Sequence, residues 1–176
     1  SSADNINITP AETDILGTSV DSSILLLGNM LESNIVEGDI IPALIDELPV
    51  IALMACFAKG QTIIKDAHEL RVKESDRIAI MTENLGAMGA DIIDTEDGFI
   101  INSRSNNTIP ILYGTNINCS MDHRIAMTFA IAGLNADGET IITDSDCVDV
   151  SYPGFFTQLE QLFSQNQSQK DSENTL

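Results

Sequence analysis

Apolar residues along the chain recur with two spacings. Ile78, Met81, Leu85 and Met88 return every three or four positions, which predicts a helix over 77–88, capped by Ser75 or Asp76 and ended by Gly89. Residues 61–66 are β-branched and apolar behind Gly60 and read as a strand. Two further strands, over 90–94 and 98–102, flank Asp97-Gly98 as the turn of a hairpin. Other expected elements are a helix over about 46–58, a helix over 125–134 with Asp122 as cap, and a strand over 139–143. A last helix runs from about Pro153 to Phe163, with Phe155, Phe156, Leu159, Leu162 and Phe163 as its buried stripe. Segments 6–9, 23–27 and 34–37 read as strands of an earlier unit whose start is missing.

A repeat underlies this order. Gly60-Gln-Thr-Ile-Ile-Lys-Asp-Ala67 matches Gly138-Glu-Thr-Ile-Ile-Thr-Asp-Ser145, each after an apolar helix and before a loop that leads to another helix. The helices over 48–58 and 125–134 are apolar nearly all round, so both are expected inside. The fold class that follows is α/β with sheets on the exterior wrapped around interior helices.

With 176 residues and 43% hydrophobic content, the chain suits one ordinary domain with a real core. The longest apolar run, 48–58, contains Pro49 and is too short to span a bilayer, and no charged-then-apolar leader opens the sequence, so neither membrane insertion nor secretion is expected. Cys56, Cys119 and Cys147 are scattered without paired spacing and read as reduced thiols of a cytoplasmic protein. Two histidines, His68 and His123, do not make a histidine-rich metal site. The polar stretch 164–176, rich in Gln, Ser and Asn, reads as a disordered tail.

Charge changes the picture most. The formal net charge is -19 with only 8 lysines and arginines, too few for a nucleic-acid face, yet Arg71, Lys73 and Arg77 crowd into one loop before a helix. Arg124 stands likewise in the first turn of the helix that Asp122 caps. A helix start favours anions and disfavours cations by up to about 1 kcal/mol, so each arginine makes better sense with an anion beside it. That anion is either a bound phosphate or carboxylate ligand or one of the protein's own acidic side chains.

Four motifs occur in an order and spacing that resemble the C-terminal portion of the 3-phosphoshikimate 1-carboxyvinyltransferase (EPSP synthase) family: Ile45-Asp-Glu-Leu-Pro49, the 71–77 cluster, Asp122-His-Arg-Ile-Ala-Met127 and Ser151-Tyr-Pro-Gly-Phe-Phe156. The resemblance covers nearly everything from Ile6 to Phe163. It implies an inside-out α/β domain of repeated βαβαββ units, incomplete here, with residues 1–163 as the C-terminal part of one enolpyruvyl transferase domain and 164–176 outside it. The family belongs to the shikimate pathway of aromatic amino acid biosynthesis and is the target of glyphosate, with sensitivity set largely by residues outside this segment.

The reaction so implied moves the enolpyruvyl group of phosphoenolpyruvate to the 5-hydroxyl of shikimate 3-phosphate through a tetrahedral intermediate, with no metal or organic cofactor. It needs a base, an acid and cations for one carboxylate and two phosphates. By resemblance, Asp46 serves the 5-hydroxyl and Glu74 the methylene carbon. Lys73, Arg77 and Arg124 hold the substrates, and Asp122 and His123 support them. From the residues alone, Asp46 could instead cap a helix and Glu74 could be a structural ion pair of the 71–77 cluster. Val150 departs from the pattern, since some members place a lysine there.

The missing N-terminal part of the enzyme is an expected partner alongside the two substrates, and neither nucleic acid nor membrane is. The fragment is expected to be inactive alone. Two other readings are a UDP-N-acetylglucosamine enolpyruvyl transferase and a non-catalytic anion-binding or assembly module.

Overall fold

The first strand, β1 (Ile6–Ile8), pairs antiparallel with residues 140–142, near the other end of the chain. It belongs to a computed structural model that describes residues 6–8, 32–103 and 112–162. The strand expected over 23–27, Phe163 and the tail over 164–176 lie outside the described residues.

Residues 32–103 contain one whole βαβαββ unit. Strand β2 (Ile35–Val36) leads through a short helix α1 (Ile41–Leu44) and helix α2 (Leu48–Phe57) to β3 (Gln61–Ile64), which lies parallel beside it. Helix α3 (Arg77–Ala87) follows, then the hairpin of β4 (Asp91–Thr95) and β5 (Gly98–Asn102), with β5 inserted antiparallel between β3 and β4. The expected strand and helix positions hold to within a few residues. The turn does not: Thr95 pairs with Gly98, so Glu96-Asp97 makes the turn and Gly98 already belongs to the strand. Glycine is needed there because a Cβ would stand 1.9 Å from the Ile64 carbonyl oxygen.

After β6 (Leu112–Tyr113), the second unit repeats the path with β7 (Asn116–Asn118), helix α4 (His123–Leu134), β8 (Ala136–Asp137) and β9 (Thr140–Thr143). Strands β7 and β9 are parallel, as β2 and β3 are. The edge of β9 that corresponds to the β5 side of β3 is taken by β1. Residues 6–8 of the expected 6–9 strand therefore close the last unit instead of belonging to an earlier one, because that unit's sheet offers the unpaired edge. The short strands β6 and β8 pair in parallel between the units.

The repeat read from the sequence is also a repeat of backbone conformation. Gly60 and Gly138 precede their strands at φ 101° and 91°, and Asp66 and Asp144 follow them at φ 61° and 56°. Each aspartate turns the chain into a 3-10 helix, His68–Val72 or Ser145–Val150. This left-handed turn ends β3 at Ile64, short of the expected residue 66.

Helix α4 has no exposed residue, and α2 buries Leu48, Pro49, Ala52, Leu53, Ala55 and Cys56. Helices α2, α3 and α4 contact one another, with β3 and β5 against α2. Interior helices behind outer sheets are thus present. Full burial of α2 is not, because Val50 and Met54, one turn apart, face outward. The helix over 155–162 packs Phe155, Phe156 and Leu159 on the core but leaves Leu162 61% exposed. Among the described residues no single helix is long and apolar enough to cross a membrane; residues Gly38–Leu44 and α2 pass, by length and composition only, as a pair bent by 110°. Two of the three scattered cysteines meet, Cys119 and Cys147, with sulfurs 4.0 Å apart.

Candidate active site

Two helix starts and one turn converge. Asp76 caps α3 by accepting the Ala79 N–H at 3.0 Å, which leaves the neighbouring Ser75 free to reach elsewhere. Its hydroxyl donates to Asp122 Oδ2 at 2.9 Å. Asp122 is itself the cap of α4 and accepts from the Arg124 and Ile125 N–H groups at 2.9 and 3.4 Å. Between α1 and α2, the turn at 45–47 brings in Asp46.

Arg77 sits where these meet, with its side chain 1% exposed. Nε and Nη2 fork onto both oxygens of Asp122 at 2.8 and 3.3 Å, Nη1 donates to Asp46 at 3.0 Å, and Nη2 donates to Glu74 at 2.6 Å. The anions that make sense of an arginine at this helix start are therefore the protein's own carboxylates. Asp46 and Glu74 are 41% and 50% exposed, so they rim the cluster while Arg77 and Asp122 form its floor.

Arg124 is 34% exposed and reaches the Asp46 carbonyl at 3.3 Å, the Asp46 carboxylate at 3.7 Å and Glu47 at 3.4 Å. Lys73 bonds Glu69 and also acts on Asp46 through its charge. His123 is the first residue of α4 and half-buried. The sequence-derived candidates Asp46, Lys73, Glu74, Arg77, Asp122, His123 and Arg124 are thereby brought into one neighbourhood. Asp46 caps no helix; its carboxylate is committed to the two arginines. Val150, by contrast, ends a 3-10 helix with 88% exposure.

Electrostatics follow from these contacts. The hydrogen bond from Arg77, with the charges of Arg124, Arg77 and Lys73, outweighs a small desolvation and holds the Asp46 carboxyl below the usual range. Burial opposes the charge on Asp122, but the hydrogen bonds and charge of Arg77, the Ser75 hydroxyl and the Arg124 N–H more than offset it, and its carboxyl too lies low. For Arg77 burial works against the cation and Asp122 reverses the effect, leaving the guanidinium more firmly protonated than usual.

Three participants had no role in the site assigned from the sequence. Glu47 joins Arg124, Ser75 joins Asp122, and Arg71 ties the loop to the hairpin by bonding Asp76, Asp94 and the Thr95 and Glu96 carbonyls. One signal was available for Ser75: it and Asp76 are adjacent capping residues and only one of them can cap.

Residues 11–159 match the family model of EPSP synthase (3-phosphoshikimate 1-carboxyvinyltransferase). The chain belongs to the EPSP synthase family. Curated relatives named 3-phosphoshikimate 1-carboxyvinyltransferase include one from Desulforudis audaxviator, 47% identical over 80% of this chain and 32% of its own length. Another, from Brevibacillus brevis, is 42% identical over 90% of this chain and 40% of its own length. The solved EPSP synthase from Acinetobacter baumannii superposes with a TM-score of 0.66 at 42% identity, covering 71% of this chain and 28% of that one. The enolpyruvyl transferase NikO from Streptomyces tendae shares the fold, with a TM-score of 0.53 at 22% identity over 66% of this chain and 25% of that one. Against its EPSP synthase relatives the chain thus spans well under half their length, and the fold class is the EPSP synthase-like α/β fold.

Proposed function

We propose that this chain is the C-terminal part of an enzyme that transfers the enolpyruvyl group of phosphoenolpyruvate to the 5-hydroxyl of shikimate 3-phosphate. One observation carries the reading: Asp46, Glu74, Arg77, Asp122 and Arg124, drawn from three separate stretches of a family member, converge on one charged cluster.

Asp46, ionised and partly exposed at the rim, is the group that receives the hydroxyl proton. Glu74, on the other side of the Arg77 guanidinium, faces the methylene carbon, and Lys73 and Arg124 supply charge for the phosphate and carboxylate oxygens. Arg77 reaches substrate only when Asp46 or Glu74 gives up its hydrogen bond, so ligand exchange for an internal carboxylate is part of binding. Asp122 and His123 hold the α4 end of the cluster in register.

The remainder of the enzyme is the partner that completes the cleft, because two anions held from one wall alone are poorly oriented. Residues 1–163 belong to a single enolpyruvyl transferase domain, and the protein acts in the cytoplasm.

Steady-state kinetics with both substrates test this in the full-length parent. Asp46→Asn is expected to lower kcat by about 10²–10⁴-fold without weakening phosphoenolpyruvate binding, since it removes a carboxylate that competes for Arg77 and Arg124. Unchanged turnover in that variant would overturn the assignment. The isolated chain is expected to show no turnover until the complementary part is added.

A further inference from the structure

Cys119 follows β7 and Cys147 lies in the 3-10 helix after β9, and their sulfurs face each other at 4.0 Å. Cys119 has no exposure and Cys147 has 7%. Cys119 also bonds the Thr143 carbonyl at 2.9 Å, with the Asp144 carbonyl at 3.5 Å. Neither thiol has a part in the carboxylate and arginine cluster, yet Cys119 stands three residues before Asp122 in the loop that presents it.

We propose that Cys119 and Cys147 are a site of disulfide formation driven by peroxide, which fastens the Asp122 loop to the turn after β9. A small neutral oxidant suits a pair whose only opening is the slight exposure of Cys147. The Cys147 thiolate attacks one peroxide oxygen, the O–O bond breaks, and water leaves, giving a sulfenic acid. Cys119 then attacks the Cys147 sulfur; the S–O bond breaks, an S–S bond forms, and a second water leaves with the remaining thiol proton. Two thiols lose two electrons and two hydrogens, and one peroxide becomes two waters.

Each sulfur has to move about 1 Å to reach the disulfide distance of about 2.05 Å. Burial raises both thiols above their usual range, which makes the first step slow and selects for sustained exposure to oxidant. Cys56 is an internal control. It is 4% exposed, its sulfur bonds only the Ala52 carbonyl among the contacts described, and it has no sulfur partner there.

The test is hydrogen peroxide treatment of the 176-residue chain, followed by alkylation in denaturant and peptide mapping by mass spectrometry. The expected result is a linked peptide joining Cys119 and Cys147 before Cys56 is modified, with slower amide exchange over 119–124 that a dithiol reductant reverses. Cys147→Ser should abolish the linkage and leave Cys119 open to alkylation. A parallel reaction in urea gives the unfolded pattern. Sulfinic acids without a linked peptide, linkage between chains, or the same mixture of pairings as in urea would each overturn the proposal.

Discussion

Asp122 serves two helices at once: it closes the start of α4 through the Arg124 and Ile125 N–H groups and takes the forked guanidinium of Arg77, the first residue of α3, at 2.8 Å. Both side chains are essentially without exposure. Truncating Asp122 leaves the buried Arg77 with only its rim partners Asp46 and Glu74, so Asp122→Ala is expected to cost about 3 kcal/mol from the pair, the low end for a broken buried ion pair, and about 1 kcal/mol from the cap. Asp122→Asn keeps a cap acceptor and should cost less. Urea unfolding of the three proteins measures both, and a loss under 1 kcal/mol for the alanine variant contradicts the dual role.

Acid should unfold the chain through the same residues. Asp46 and Asp122 have lowered folded values, so below the ordinary carboxylate value of about 3.9 the native state binds fewer protons than the unfolded chain. Their contribution is present above about pH 4 and is lost as pH falls through the folded values. Stability measured from pH 5 downward should decline less steeply for Asp122→Asn than for the parent.

Alkali acts in the opposite sense through Cys56, whose thiol is pushed by burial to about 12. An unfolded thiol ionises near 8.5, so from there up to the folded value the native state binds more protons and stability falls as pH rises. The slope from this thiol approaches about 1.4 kcal/mol per pH unit. Cys56→Ala should flatten the decline between pH 9 and 11 in denaturation curves, whatever its effect at pH 7.

Two glycines should respond to alanine with opposite signs. Gly98→Ala drives a Cβ against the Ile64 carbonyl and should cost at least about 1–3 kcal/mol. Gly86, inside α3, has open space where the methyl would go, and Gly86→Ala should stabilise by about 0.4–1 kcal/mol. Thermal midpoints read in parallel test the pair.

Arg71 joins the loop before α3 to the β4–β5 hairpin through Nε to the Glu96 carbonyl, Nη1 to Asp76 and Nη2 to Asp94 and the Thr95 carbonyl. A lysine cannot span that fork, so Arg71→Lys should resemble Arg71→Ala more than the parent, with each losing about 1–2 kcal/mol. Faster amide exchange over 94–98 is the accompanying local sign.

What the sequence disclosed was whatever local spacing controls. The stripe of Ile78, Met81, Leu85 and Met88 marked α3, and all four are fully buried. The duplicated octapeptides 60–67 and 138–145 marked two strands with matching entry and exit turns. Pairing between distant segments was not legible. Nothing near Arg77 in the sequence announces Asp122 as its counter-ion, and Cys119 and Cys147 look unrelated until β7 and β9 lie side by side. The short helix α1 was hidden for another reason, since four residues over 41–44 are too few to show a helical period, and only the start of the next helix near Asp46 was readable.

The seating of Ile6–Ile8 against β9 sets an order of assembly. The unit over 32–103 closes on contacts between near neighbours, whereas the other sheet waits for two distant stretches to find each other, at a larger entropic toll for joining a long loop. On a ribosome β1 emerges long before its partner strand and is thus among the last strands of this chain to dock. Until the residues around Thr140 emerge it stays an open edge, available to chaperones or to another copy's unpaired sheet.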